Sequence, residues 1–98
     1  MEKFAEAVYD TMYGQLLPAF QVPGVENIFE EGMPCHEDYR DMLDAYERLR
    51  QRLGVRSEDD DCEVMINSLL DIQRRMSIAM FLKGYEFGQN GCPAYLSL

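Results

Sequence analysis

Apolar residues recur every three or four positions along most of the chain, which is the period of an amphipathic α-helix. The clearest such stretch predicts one long helix over about residues 58–88, because it contains no proline and no glycine before Gly84. Ser57 is the predicted N-cap, with Asp60 three residues later reaching back to it in a capping box. One apolar stripe is expected on this helix, made of Cys62, Met65, Leu69, Ile72, Met76 and Ala79.

A second helix is predicted over about residues 36–53 and ends at Gly54. Only residues 54–57 separate it from the long helix, and a connection this short joins neighbouring antiparallel helices. We therefore expect an antiparallel helical hairpin. The second helix also carries a seam with heptad spacing, made of Tyr39, Met42, Tyr46, Leu49 and Leu53.

A shorter first helix is predicted over about residues 2–17, where apolar residues such as Phe4 and Met12 share a face and Pro18 forbids continuation. It is expected to pack across the hairpin. The predicted fold is an all-α single domain over residues 1–98, with the two long seams forming its core. Because those seams extend beyond what one short helix can cover, we also expect self-association, as a homodimer.

The remaining segments lack helical periodicity. Residues 18–36 form a predicted irregular connection punctuated by proline and glycine, within which residues 25–31 are expected to make one or two helical turns. Residues 89–98 are a predicted tail, because Gly91 and Pro93 oppose a further helix. Its apolar residues are expected to pack back on the body.

Gly84 and Gly88 lie four residues apart on one face of the predicted long helix. Glycine inside a helix costs about 1 kcal/mol relative to alanine, so a compensating contact is expected. We predict that another backbone, that of the first helix, approaches closely at these positions.

Charge narrows the classes of partner. The 98 residues carry a net charge of −9, which opposes direct binding to nucleic acid or to an anionic membrane surface. Three cysteines without regular spacing indicate a reducing compartment. The N-terminus is acidic and amphipathic, unlike a signal peptide, and no apolar run is long enough to span a bilayer. A cytoplasmic location is therefore expected.

The acidic residues are the candidate partner-binding side chains. They could offer a basic protein a surface that competes with nucleic acid. Two alternatives are structural: acids at a helix start interact favourably with the helix dipole, and Arg50, Arg52 and Arg56 could neutralise them near the turn of the hairpin. The candidates are Glu26, Glu30, Glu31, Glu58, Asp59, Asp60, Asp61 and Glu63.

Catalytic and metal sites are not expected. His36 is the only histidine, and its neighbour Cys35 is adjacent in sequence, where a nucleophile–base pair does not normally form. There is no glycine-rich phosphate loop, and no paired-carboxylate signature. Cys35, His36, Cys62 and Cys92 are ligand types that zinc accepts, but none has a zinc-site spacing. We expect no enzyme activity and no cofactor.

Three stretches, residues 8–18, 38–53 and 81–88, together resemble a family of small, uncharacterised helical proteins of Gram-positive bacteria and their phages and mobile elements. The connection between residues 20 and 35 is longer than in that family. The resemblance implies a helical fold and a mobile-element setting, and it transfers no activity. The family's terminal F-x-x-G-[FY]-x-x-G motif is matched by Phe81, Gly84, Tyr85 and Gly88.

Two functions follow as expectations. The first is a small acidic binding protein, of phage origin, that inhibits a basic host defence protein such as a CRISPR effector or another nucleic-acid-binding nuclease. The alternative is a structural or regulatory homo-oligomeric helical module without a nucleic-acid-related target.

Overall fold

The computed structural model of this protein describes residues 1–91, in which all regular secondary structure is helical and no strand occurs. The all-α class predicted from periodicity is confirmed. Cys92 and the predicted tail beyond it lie outside the described residues. The elements in chain order are α1 (Glu2–Tyr13), a short 3₁₀ helix (Pro18–Phe20), α2 (Pro34–Leu53) and α3 (Asp60–Asn90).

α1 ends at Tyr13, four residues before the predicted end at residue 17. Gly14 takes a left-handed conformation with φ of 77°, and its N–H donates to the Thr11 carbonyl while Gln15 N–H donates to the Asp10 carbonyl. This is a Schellman motif, which closes a helix by satisfying its last carbonyls. The glycine therefore ends α1 before Pro18 can.

The two long helices begin at other residues than those predicted. α2 starts at Pro34, two residues early, because proline is already restricted to a helical φ and needs no N–H partner at the first position. α3 is capped by Asp59 rather than Ser57, since Asp59 Oδ2 accepts a hydrogen bond from the Cys62 N–H at 3.0 Å. α3 consequently begins at Asp60 and continues to Asn90.

The connection between α1 and α2 is fastened to α1, and the helical turns predicted for residues 25–31 do not form. Thr11, which is only 3% exposed, accepts a hydrogen bond from the Val22 N–H at 3.1 Å. The Met12 carbonyl accepts hydrogen bonds from the backbone N–H groups of Ile28 and Phe29. Because α1 supplies acceptors for these N–H groups, the segment does not need a helix of its own.

α1 packs against α3, as the sequence predicted. The Phe4 and Phe81 rings meet at a centroid distance of 6.0 Å. About two turns further along the interface, Asp10 and Arg74 form an ion pair, and the Arg74 guanidinium lies 5.3 Å from the centre of the Tyr9 ring. Three aromatic rings and a charged pair thus join the first and third helices.

α2 and α3 meet mainly at the turn between them and do not approach closely along their lengths. The Tyr46 hydroxyl accepts a hydrogen bond from the Asp59 N–H at 2.8 Å and donates one to Glu63 Oε1 at 3.1 Å. Arg50 donates to the backbone carbonyls of Arg56 and Ser57. These bonds hold the turn, while farther from it the two helices leave a groove between them.

Most of the stripe predicted as the core of α3 is exposed, although Cys62 is half-buried and Leu69 borders the groove between α2 and α3. The half-buried positions of α3 recur at a spacing of four, from Ile66 and Leu70 through Arg74 to Ile78. Within α2 the predicted seam does turn inward and is half-buried, except for Leu53, which is 56% exposed. The predicted core is therefore wrong for α3.

The expected close approach at Gly84 and Gly88 is also wrong. A Cβ built at either glycine has no neighbour within 4 Å among the described residues. α1 reaches α3 about one turn earlier, at Phe81. The cost of both glycines inside the helix is not offset by contacts within residues 1–91.

The molecule is extended for its length. Its Cα radius of gyration is 17.5 Å, whereas a compact chain of about 100 residues has roughly 13 Å. Ala5 is the one buried apolar residue of the described range. The helices therefore share little enclosed core within a single copy.

Candidate interaction surfaces

The eight candidate acids fall into two groups that the structure keeps apart. Glu26, Glu30 and Glu31 lie in the connection that leads into α2, while the run from Glu58 to Glu63 follows its other end. α2 has 20 residues, a length of about 30 Å. The two groups therefore do not make one continuous acidic surface.

Two acids of the run have structural partners. Asp59 caps α3, and its hydrogen bonds with the Cys62 N–H lower the pKa of its carboxyl. Glu63 accepts a hydrogen bond from Tyr46, whose pKa is raised by desolvation and by the Glu63 carboxylate. For Asp59, the alternative of a structural role at the start of the helix is therefore correct.

The other candidate acids are exposed. None of the eight candidates forms an ion pair with any of residues 1–91. The ion pairs in that range are Glu47–Arg50, Asp10–Arg74 and Lys83–Glu86. Arg50 directs its guanidinium to Glu47 and to backbone carbonyls. No arginine of residues 1–91 forms an ion pair with the run, although Arg50 lies at the same turn, against the carbonyls of Arg56 and Ser57. The exposed, unpaired acids are Glu26, Glu30, Glu31, Glu58, Asp60 and Asp61.

A row of large apolar side chains, which we call the α3 stripe, lies exposed along the middle of α3. Exposed apolar residues are common singly on soluble proteins, whereas a contiguous row at helical spacing is typical of an interaction surface. Apart from Leu69, which borders the groove between α2 and α3, the row is not covered by α1 or α2. The α3 stripe comprises Met65 (65% exposed), Leu69 (59%), Ile72 (54%), Met76 (68%) and Met80 (79%).

An apolar groove opens beside the α3 stripe, with a volume of about 490 Å³. Leu69 belongs to both the stripe and the groove, so the two form one continuous apolar surface. The groove lies between α2 and α3, beside α1 and the connection. Its walls come from all of these elements and include Tyr13, Ile28, Phe29, Tyr39, Met42 and Leu70.

Phe29 joins the walls of the groove. Its ring stacks on Tyr13 of α1 at 4.5 Å and meets Tyr39 of α2 edge-on at 5.2 Å. Tyr13 in turn stacks on Tyr9 at 5.8 Å. Burial beside the other two tyrosines raises the pKa of Tyr13. This aromatic row therefore links α2 to α1 at the end of α2 that is remote from the turn at residues 54–59.

Of the residues considered for catalysis or zinc, Cys35, His36 and Cys62 are described, and they form no metal-binding cluster. Within residues 1–91 no three His, Cys, Asp or Glu side chains converge where a metal ion could bind. Cys35 and Cys62 are free thiols, and desolvation raises the pKa of Cys62, which disfavours the reactive thiolate. The His36 ring packs edge-on against Phe29 at 5.8 Å, and the described residues offer its buried Nδ1 no hydrogen-bond partner.

None of the helices in the described part of the chain combines the length and the apolar character needed to cross a membrane. No family model matches this chain, and no curated protein or solved structure matches it either. The resemblance to small helical proteins of phages and mobile elements stays a prediction.

Proposed function

We propose that this chain is a non-enzymatic protein-interaction module that works as a homodimer, with the α3 stripe as its interface. The exposure of five large apolar residues in a row on one helix carries this proposal. Water contact at these side chains is unfavourable by about 25 cal/mol for each Å² of apolar surface. A partner helix that covers them relieves that cost.

The surface area supports a partner of substantial size. The accessible surface is 7888 Å², whereas a compact monomer of 11.4 kDa has about 5,800 Å². A standard protein–protein interface removes about 800 Å² from each partner, which this surplus more than accommodates. A second copy is the partner that is always present, and it brings an identical apolar stripe.

The antiparallel hairpin predicted from the sequence becomes the dimerising unit in this proposal. α2 and α3 are fastened at their turn by Tyr46, and the groove between them stays apolar and open. Covering the α3 stripe with a second α3 supplies the core that a single copy lacks. We place this dimer in the cytoplasm, in keeping with the free thiols of Cys35 and Cys62.

The test is the mass of the protein in solution. At protein concentrations up to about 100 µM, the wild type is expected to have twice the monomer mass in size-exclusion chromatography with light scattering. The double variant Leu69→Glu/Met76→Glu places charges in the interface and is expected to be a helical monomer by circular dichroism. Val64→Glu, at an exposed apolar position (63%) on another face of α3, is the matched control and should remain dimeric. A monomeric wild type would contradict the proposal.

A second candidate function is the acidic inhibitor of a basic host protein, such as a nucleic-acid-binding nuclease of a CRISPR system. The observation that favours it is the set of exposed acids without ion pairs in the described residues. Because the two acidic groups lie at opposite ends of α2, the group at the start of α3 would act alone. A phage or mobile-element origin is part of this candidate.

Charge reversal tests the inhibitor. Glu58, Asp60 and Asp61 are replaced together by lysine, and Asp59 is kept because it caps α3. Tagged protein is used to capture partners from nuclease-treated host lysate and is eluted with a salt gradient. Loss of a basic, nucleic-acid-binding partner is expected. The control variant replaces three exposed acids of α2 by lysine, so its net charge changes by the same amount, and it should retain the partner. The replaced residues are Glu37, Asp41 and Asp44. Equal binding by both variants would reject this candidate.

A further inference from the structure

We infer that the two α3 helices of the dimer pair antiparallel, with the twofold axis passing between Ile72 and Gln73. This inference rests on the proposed homodimer and adds the orientation and register of its interface. The occupant of the α3 stripe is the same stripe of a second copy. Three observations carry it: the symmetry of the stripe, the position of Lys83, and the charge at the two ends of α3.

The stripe is symmetric about its centre. Met65 and Met80 lie equally far on either side of the point between Ile72 and Gln73, and so do Leu69 and Met76. In an isologous dimer the same patch faces itself, reversed by the twofold axis. An antiparallel pair with this axis therefore sets Met65 against Met80 of the second copy, and Leu69 against its Met76. Every large side chain of the stripe gains an apolar neighbour.

Lys83 lies at the end of the stripe. It follows Met76 by seven residues, so it occupies the same heptad position, and its side chain is 59% exposed beside Glu86. A parallel pair would place two Lys83 side chains opposite each other in the seam, which is unfavourable. Reversal about the axis instead places Lys83 at the level of Cys62 in the second copy, one residue from both Asp61 and Glu63 at the acidic start of α3.

The ends of α3 favour reversal as well. Glu58, Asp60 and Asp61 concentrate negative charge at its N-terminus, and each copy carries a net charge of −9. A parallel pair would set these two acidic ends side by side. The two helix dipoles would then point in the same direction and would repel each other. In the antiparallel pair the acidic ends are separated by the length of the stripe.

Disulfide trapping tests both the orientation and the register. A background without Cys35, Cys62 and Cys92 is made with serine at each position and checked by light scattering for an unchanged dimer. Met65→Cys and Met80→Cys proteins are then prepared separately, mixed, allowed to exchange subunits and oxidised. The expected product is a disulfide between the two different chains, with little cross-linking of either variant alone. Ile72→Cys lies near the axis and is expected to cross-link to itself, which verifies the oxidation.

The outcomes separate this inference from the function on which it rests. A dimer in which Met65→Cys cross-links to itself would overturn the antiparallel orientation and leave the homodimer intact. A dimer in which neither the mixed pair nor Ile72→Cys cross-links would overturn the α3 stripe as the seam. A monomeric background, together with a monomeric wild type, would overturn both. The mixed disulfide alone supports the inference.

Discussion

Gly14 occupies a position where both the backbone and a neighbour demand glycine. Its φ of 77° lies in the left-handed region, and a Cβ there would lie 2.7 Å from Asn27 Nδ2 and 3.2 Å from Asn27 Cγ. Asn27 is not free to move away, because its Oδ1 accepts a hydrogen bond from the Phe29 N–H at 2.9 Å. A substitution at Gly14 therefore disturbs both the end of α1 and the connection that follows.

We predict that Gly14→Ala lowers the free energy of unfolding more than Gly54→Ala does. Gly54 ends α2 with a nearly identical φ of 71° but has nothing within 4 Å of its Cβ position. The strain of a left-handed alanine, about 1–2 kcal/mol, is common to both variants. The difference between them in urea unfolding isolates the contact with Asn27. Equal losses would show that Asn27 moves at no cost.

The start of α3 depends on one residue in the same way. Asp59 accepts the N–H of Cys62, whereas Ser57 makes no capping bond to α3. Asp59→Ala is expected to lower the melting temperature at pH 7 by several degrees, as loss of a cap does in a domain of this size. Ser57→Ala is the matched control and should change it little. A larger loss of melting temperature in Ser57→Ala than in Asp59→Ala would identify Ser57 as the N-cap.

The effect of Asp59 should depend on pH, because hydrogen bonds to its charged form lower the pKa of the carboxyl in the folded protein. A group with a lowered folded pKa stabilises the protein above its unfolded pKa, near 4, and loses that contribution as pH falls through the folded value. Thermal unfolding of wild type and Asp59→Asn should therefore differ at pH 7 and converge toward pH 3. Asparagine is a suitable comparison because it still caps helices. A constant difference across this range would contradict the shift.

At the scale of elements, the connection before α2 acts through one aromatic side chain. Phe29 stacks on Tyr13 at 4.5 Å and contacts Tyr39 at 5.2 Å, so it transmits the position of α1 to α2. Phe29→Ala is predicted to cost about 2–3 kcal/mol of unfolding free energy, below the range for a fully buried phenylalanine. Phe20→Ala removes the same group from a site that is 69% exposed, and is expected to cost under about 0.5 kcal/mol. Chemical denaturation of both variants measures the difference.

Periodicity predicted the existence of three helices but not which face of α3 turns inward. A three-four pattern shows that a helix has an apolar face, and it does not say whether the same chain or another one covers that face. The sequence pattern does not reveal the inward row of α3, because the charged residue Arg74 lies between the apolar residues Leu70 and Ile78 in that row. Its partner Asp10 is 64 positions away, a separation at which charge pairing is not evident from spacing.

The candidate acids show the same division between local and non-local information. Their exposure and the favourable position of the run at a helix start follow from nearby residues. The hydrogen bond from Tyr46 to Glu63 does not, since it depends on how the turn at residues 54–59 folds back. The end of α1 is also set locally, because Gly14 and Pro18 both oppose a helix and the left-handed glycine comes first in the chain.

At the scale of the whole molecule, a single copy encloses little apolar surface. Only Ala5 is a buried apolar residue in the described range, and the chain is extended to principal dimensions of 55 × 37 × 24 Å. A domain normally derives most of its stability from burial, and the loss of conformational entropy on folding is of similar size. A folded monomer should therefore be only marginally stable, and in the proposed dimer the interface supplies further burial, so folding and association should be coupled.

That coupling gives the last prediction, because a folded dimer that unfolds to separate chains gains stability with concentration. Each tenfold rise in protein concentration adds about 1.4 kcal/mol per dimer, which is about 3 °C in melting temperature for two chains of this length. Calorimetry of wild type across a hundredfold range should show this rise. Leu69→Glu/Met76→Glu should melt lower, with no dependence on concentration, while Val64→Glu should follow wild type. A wild-type melting temperature independent of concentration would mean that the α3 stripe is not covered by a second copy.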